Sequence, residues 1–252
     1  KANIKRFEET RDADIEKLYF WQSAIMTCEA VITLARRYSE LASKMAQKEQ
    51  NAVRKAELEE IAKVCGRVPE NPPSSFHEAI QSLTFVHLAS LLEKPGGSFT
   101  IGRLDQYLWP TFEADVKDGS LTIEKAADLV AGFISYLSNH IGVQDVSYNE
   151  LIQASTRISN ITLGGMKRNG EDASNELTSL ILHVAGLLKV PEPHISLRWH
   201  TGTPRWVVDK AIDTNMKARG GIPQFMNDTH VVPFLQESGE SIEDARDYYY
   251  TG

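Results

Sequence analysis

The chain has 252 residues, 42% hydrophobic and 24% charged, with a formal net charge of −7 at pH 7. That is the composition of a globular protein with one large domain or two small ones. The acidic balance, with no run of five or more Lys or Arg, argues against a nucleic-acid partner, whose phosphates need a basic face.

Helical periodicity dominates the first ninety residues. Leu18, Trp21, Ile25, Cys28, Ile32 and Ala35 alternate steps of three and four, and the pattern continues past Tyr38, Ala42 and Met45. Arg36, Arg37, Lys44 and Lys48 occupy the opposite face. A second helix is expected from Val53 to Val64, broken by Gly66 and the Pro69–Pro73 segment. Ser75 and Glu78 have capping-box spacing ahead of a third apolar run, Ala79 to Leu92. Cys28 and Cys65, the two cysteines, both fall on amphipathic patterns and are expected as buried, reduced thiols. No 18-residue apolar stretch is read, so no membrane span is expected.

Further helices are expected over Thr122–Asn139, over Asn175–Leu188 up to the Pro191/Pro193 break, and over Pro204–Met216 up to Gly220-Gly221. Short β-rich runs lie at Ile158–Leu163, Ile195–His200 and Ile222–Met226. Helices separated by single short strands predict a helix-rich α/β layout with buried strands, in one continuous domain over residues 1–252 with no separate second domain. His194 and His200 share a strand, but no acidic pair completes a ligand set, so no metal is expected. Gly164-Gly165 lacks the Gly-Lys-Ser or GxGxxG context of a phosphate loop. Trp199 and Trp206 are expected in the core.

The segment Gly97-Ser-Phe-Thr-Ile-Gly-Arg-Leu-Asp-Gln-Tyr107 places polar groups directly after an apolar helix. A buried Arg must be paired, so Arg103 is expected to clamp carboxylates or carbonyls, and Asp105 or Gln106 to satisfy backbone donors. Ser98 and Thr100 could face a cavity and bond a substrate, or bond their own backbone. Arg198 could bind a carboxylate or pair with an acid of the surrounding shell. Asn227 and Asp228 read as caps of the next segment, beside a possible pocket.

Six motifs in order resemble a known family: Val68–Ser82, Gly102-Arg-Leu-Asp-Gln-Tyr-Leu108, Ile161-Thr-Leu-Gly-Gly165, Asp172–Thr178, Pro193-His-Ile-Ser-Leu-Arg198 and Gly221–Asp228. Together they resemble the glycyl radical enzyme family, in its pyruvate formate-lyase-like branch, over about Asp14 to Gly252. The resemblance implies a part of a ten-stranded α/β barrel, two five-stranded half-barrels inside a helical shell. It also implies that a thiyl-forming cysteine follows Gly252. The glycyl radical, a post-translational cofactor, would lie on a glycine outside this chain. The chain would then be an internal piece of a longer catalytic domain, inactive alone and with no catalytic residue of its own.

The implied activity is that of a lyase acting on a small organic substrate: a dehydratase, a decarboxylase or another C–C, C–O or C–N cleaving enzyme. Radical addition to fumarate and formate acetyltransferase activity are the alternatives within the family. A non-catalytic remnant or interaction module is the alternative outside it. The implied partner is a radical S-adenosylmethionine activating enzyme, the implied assembly a homodimer, and the implied setting an anaerobic cytoplasm. In the family's glycerol dehydratases a His-Ser pair before the GR-DQ motif bonds substrate hydroxyls. Gly97 and Ser98 stand at those positions, so the serine is kept and the histidine lost. The lost side chain enlarges the space at Gly97 and suits a bulkier or less polar substrate than glycerol. Gly97, Ser98 and Thr100 are therefore the expected substrate-binding positions, with Arg103, Asp105, Gln106 and Asn227 as structural residues near the site.

Overall fold

The computed structural model describes residues 15–93, 99–139, 159–190, 192–218 and 221–249, together with Ile4. The chain divides into two compact units, residues 1–89 and 90–252. The first is built on an antiparallel helix pair, α1 (Ile15–Lys48) and α2 (Ala52–Arg67). Asn51 caps α2 by accepting hydrogen bonds from the Val53 and Arg54 amides. Small residues bring the helices together: Ser39 Oγ donates to Ala62 O at 2.6 Å. A Cβ on Gly66 would lie 3.1 Å from Ser39 Oγ. Gly66 therefore sits inside α2 as a packing residue instead of breaking it. The helix ends at Val68, whose amide donates to Val64 O ahead of Pro69.

Ala35 and Cys65 pack with Phe85 of α3 (Phe76–Glu93), flanked by Val31 and Ile61. The capping box of α3 forms in a shifted version. Ser75 Oγ accepts from the Glu78 amide, but Glu78 Oε2 accepts from the amide and hydroxyl of Ser74 and from Arg67 Nε. Burial raises the Glu78 carboxyl. The Ser74 donors and the Arg67 charge outweigh that, and the carboxyl ends below its ordinary value.

Two further expectations are corrected in this unit. Cys65 is buried, but Cys28 is exposed. Cys28 lies on the same stripe as the buried Ala35 and Ala42, but the stripe outruns its partner: α1 has 34 residues and α2 has 16. At 1.5 Å per residue these are about 51 and 24 Å long, so α2 covers the carboxyl half of α1 only. Tyr19, Phe20 and Met26 are accordingly exposed. α1 contains an 18-residue window of mean hydropathy 1.2, which makes it long and apolar enough to cross a bilayer by length and composition alone. The expectation that no such stretch exists therefore fails. Between Lys17 and Arg36 the one charged residue is Glu29, a gap that the face-by-face reading passes over.

The second unit holds a four-stranded parallel sheet in the order β1-β2-β3-β4. Its strands are β1 (Gly102–Arg103), β2 (Asn160–Gly164), β3 (His194–Trp199) and β4 (Gln224–Asn227). In register, Gly102 faces Ile161, Gly164 faces Arg198, and Trp199 faces Asn227. Every residue of β2 is buried, as are the four central residues of β3, which fits parallel strands covered on both faces. Between β1 and β2 come α4 (Leu104–Tyr107), α5 (Trp109–Asp118) and α6 (Ile123–Ser138). Thr122 caps α6, whose buried face is Ala126, Val130, Phe133, Ile134 and Leu137.

The crossovers from β2 to β3 and from β3 to β4 are α7 (Glu176–Leu188) and α8 (Arg205–Lys217). α7 packs against both α6 and α8 and is buried except along an exposed stripe at Glu176, His183 and Leu187. Gly186 lets the Thr214 backbone approach, and Thr214 Oγ1 donates to Leu182 O at 3.1 Å. The buried face of α8 is Val207, Ala211 and Thr214, and this leaves Trp206 outside it, 45% exposed and not in the core as expected. After β4 come α9 (Asp228–Glu237) and α10 (Ile242–Arg246). The layout is the helix-rich α/β architecture that the sequence predicts, but only β2 and β3 are the buried strands expected: no residue of β4 is buried, and Phe225 is exposed.

Candidate functional site

Parallel α/β sheets build their sites at the carboxyl ends of the strands. Here those ends are occupied by a buried network of charge. Arg198, next to last in β3, is fully buried. Its guanidinium meets Asp228 side-on: Nε donates to Oδ1 at 3.0 Å and Nη2 to Oδ2 at 2.8 Å. Asp228 is itself fully buried, one residue beyond the end of β4. The same guanidinium donates to Tyr248 O at 2.6 Å and to Arg246 O at 2.8 Å. It also lies 3.8 Å from the centre of the Tyr248 ring, whose hydroxyl donates to Asp228 Oδ1 at 2.8 Å. Burial, followed by the Asp228 charge, pushes the Tyr248 phenol well above its ordinary range.

Gly165 makes room for this arginine. A Cβ there would lie 2.6 Å from both Cζ and Nε of Arg198, at a φ of +82°. Gly164-Gly165 is thus a cradle for a guanidinium, formed where β2 ends.

Arg103 closes β1 and reaches toward the same edge. It donates to Asp247 Oδ1 at 2.5 Å and to the carbonyls of Gly164 and Met166 at 3.0 Å each. Burial and the nearby Arg198 charge lower its proton affinity, while Asp105 and Asp247 oppose the shift. Asp105 is completely buried; its Oδ2 accepts from the Gly164 amide at 2.8 Å and from Thr178 Oγ1 at 2.5 Å. Burial pushes the Asp105 carboxyl up, against the pull of those two donors. Thr178 also closes a capping box with Asn175, the α7 cap, and Asn175 Nδ2 donates to Asp105 O.

The structural expectations for the site residues therefore divide. Arg103 clamps a carboxylate and two carbonyls, and Asp105 satisfies a backbone donor. Of the two residues expected to satisfy a backbone donor, Asp105 does so, while Gln106 serves a backbone acceptor: its Nε2 donates to Ala173 O at 2.8 Å. Asn227 caps α9 through the Thr229 amide, whereas Asp228 is the acid that neutralises Arg198. Asp247 and Thr178 complete the network without having been singled out, and Tyr248 joins it. A buried arginine near the end of β3 calls for an acid at the end of a neighbouring strand, and Asp228 stands there, one residue past the Trp199–Asn227 pair. Thr100 precedes β1, at the amino side of the sheet: the next residue, Ile101, donates its amide to Asn160 O, where β2 begins. The structure thus does not gather Thr100 with the carboxyl-edge network. Gly97 and Ser98 lie outside the described residues. Among the described residues no three His, Cys, Asp or Glu side chains meet as a metal-binding set.

Comparison with known proteins gives one answer throughout. The family model described as "Pyruvate formate lyase-like" matches residues 1–252. Isethionate sulfite-lyase of Oleidesulfovibrio alaskensis is 35% identical over 95% of this chain and 29% of its own length. Trans-4-hydroxy-L-proline dehydratase of Clostridioides difficile is 33% identical over 98% of this chain and 31% of its own length. The chain spans about three tenths of the length of these curated relatives. Among solved structures, a Roseburia inulinivorans protein described by its 1,2-propanediol dehydration is 34% identical. It matches all of this chain and 32% of its own, with a TM-score of 0.94. The B12-independent glycerol dehydratase of Clostridium butyricum is 33% identical, over 98% of this chain and 31% of its own, with a TM-score of 0.91. With the whole chain inside the family's boundaries and its fold shared with glycyl radical enzymes, the protein belongs to the pyruvate formate lyase-like family.

Proposed function

We propose that the whole protein is a glycyl radical lyase that eliminates water or another small group from a small organic substrate. The observation that carries this is the match of the entire chain, at a TM-score of 0.94, to a structure described by 1,2-propanediol dehydration. Relatives named as dehydratases and sulfite-lyases at 31% identity or more point the same way. In this reading both compact units are parts of one catalytic domain, and the four-stranded sheet is part of a larger ten-stranded barrel. The thiyl-forming cysteine is the residue after Gly252, and the radical glycine lies elsewhere in the protein. A radical S-adenosylmethionine enzyme installs the radical, the assembly is a homodimer, and the setting is an anaerobic cytoplasm.

The radical supplies the means to take hydrogen from an unactivated C–H bond when it is present. This chain supplies framework. Asp105, Arg198 and Asp228 are wholly buried, and no thiol lies among the described carboxyl-edge residues. Such a wall keeps water out and holds the strands still, which radical chemistry requires. Gly97, Ser98 and Thr100 bind substrate in this proposal: Ser98 bonds a substrate hydroxyl, and the missing side chain at Gly97 admits a bulkier substrate than glycerol.

The test is electron paramagnetic resonance on the anaerobically activated whole protein, with a glycine-centred doublet expected. A cleanly activated protein without that signal refutes the assignment. Ser98→Ala should lower turnover by about one to three orders of magnitude if the hydroxyl positions substrate. Unchanged kinetics would remove Ser98 from the binding set.

A further inference from the structure

Three consecutive residues, Arg246, Asp247 and Tyr248, are each held by a buried guanidinium. Arg198 takes the carbonyls of Arg246 and Tyr248 and covers the Tyr248 ring; Arg103 takes the Asp247 carboxylate. Both guanidiniums are fixed from behind, Arg198 by the two oxygens of Asp228 and Arg103 by the carbonyls of Gly164 and Met166. A second layer lies outside: Arg168 pairs with Asp244 at 2.7 Å and approaches Asp247 at 3.7 Å, while Arg246 Nη1 donates to Arg168 O at 3.2 Å.

An apolar contact would secure a surface segment at less cost than two neighbouring buried cations. What the forked guanidiniums add is directional register: the main-chain carbonyls are aimed by hydrogen bonds whose other ends are in the sheet.

We propose that Arg103 and Arg198 are positioning residues that clamp Arg246–Tyr248 onto the carboxyl edge of the sheet and thereby set where the following residues enter the reacting centre. The inference rests on the lyase reading for its catalytic consequence, but the clamp itself is a property of the described residues. Neither arginine touches the reacting atoms. Each acts through the main chain it holds, and an error of about 1 Å in such positioning costs on the order of a hundredfold in rate.

The experiment compares Arg198→Lys and Asp247→Ala with wild type in the whole protein. In Arg198→Lys a single ammonium replaces the fork and cannot span Asp228 and two carbonyls at once. Asp247 has a half-exposed side chain, so its loss leaves the sheet intact and keeps the test available if Arg198→Lys fails to fold. Hydrogen exchange on the unactivated protein should be about tenfold faster at residues 246–249, with Glu176–Leu188 unchanged. After activation, kcat should fall about ten- to a hundredfold, with KM and the radical spin count per protomer within about twofold of wild type. Exchange at 246–249 equal to wild type in the folded variants overturns the clamp. A loosened segment with unchanged kcat overturns its positioning role. Absence of any radical in activated wild type refutes the lyase reading alone, because the exchange measurement needs no activation.

Discussion

Gly165→Ala separates two costs that usually arrive together. Gly165 has a φ of +82°, in the left-handed region, and Gly119 has nearly the same φ, +81°. An alanine at either position meets about 1–2 kcal/mol of backbone strain. They differ in surroundings. The Cβ at Gly119 meets nothing within 4 Å, whereas that at Gly165 falls 2.6 Å from Cζ and Nε of Arg198. A flexible side chain would step aside. Arg198 is held by Asp228 on two nitrogens and by two main-chain carbonyls, and it stacks on Tyr248, so moving it breaks several buried bonds. Overpacking of this kind adds about 1–3 kcal/mol. Gly165→Ala should therefore destabilise by about 2–5 kcal/mol, and Gly119→Ala by only about 1–2 kcal/mol. At about 2–4 °C per kcal/mol for a chain of this size, thermal melts should place the first variant about 2–12 °C below the second. Equal melting temperatures would mean that Arg198 yields freely, and the picture of a rigid cradle would be wrong.

Two further outcomes concern the first unit. The Glu78 carboxyl is held below its ordinary value when folded, so it contributes stability above the unfolded value near 4.5 and loses it as pH falls through the folded value. Glu78→Gln should lower stability at neutral pH and flatten the decline below about pH 4.5; a parallel acid limb in denaturant titrations would contradict this. Burial pushes the Cys65 thiol up to about 11, so at pH 8 roughly one part in a thousand is thiolate. In the folded chain iodoacetamide should modify the exposed Cys28 and leave Cys65 unmodified, as read by peptide mass; equal labelling would place Cys65 at the surface.

What was legible in the sequence was what local chemistry controls. The α7 boundary follows from Asn175, whose side chain accepts from the Thr178 amide, and α6 begins where Thr122 caps it. Three of the four strands could be read as short apolar or alternating runs bounded by Gly or Pro. The two residues of β1 could not, because Gly102-Arg103 is too short to show a period and the chain turns helical at Leu104. α9 escaped because Pro233 lies inside it, and α10 because five residues carry little periodicity. The need for Arg103 and Arg198 to be paired was legible from burial cost alone. The partners were not: Asp228 is 30 residues from Arg198, and Asp247 is 144 residues from Arg103. Only the sheet brings those distances to hydrogen-bonding range. The substrate-binding expectation for Gly97 and Ser98 rests on family resemblance, and that for Thr100 on a small hydroxyl placed where a helix gives way to a loop.

The overhang of α1 bears on how such chains are sorted by composition. A segment with a single acid between Lys17 and Arg36 satisfies the arithmetic of a lipid-crossing rod. Its neighbour α2, less than half as long, leaves that stretch to show its oily residues. Averaging over a window discards the angular information that separates a stripe awaiting a protein surface from a cylinder greasy on every side.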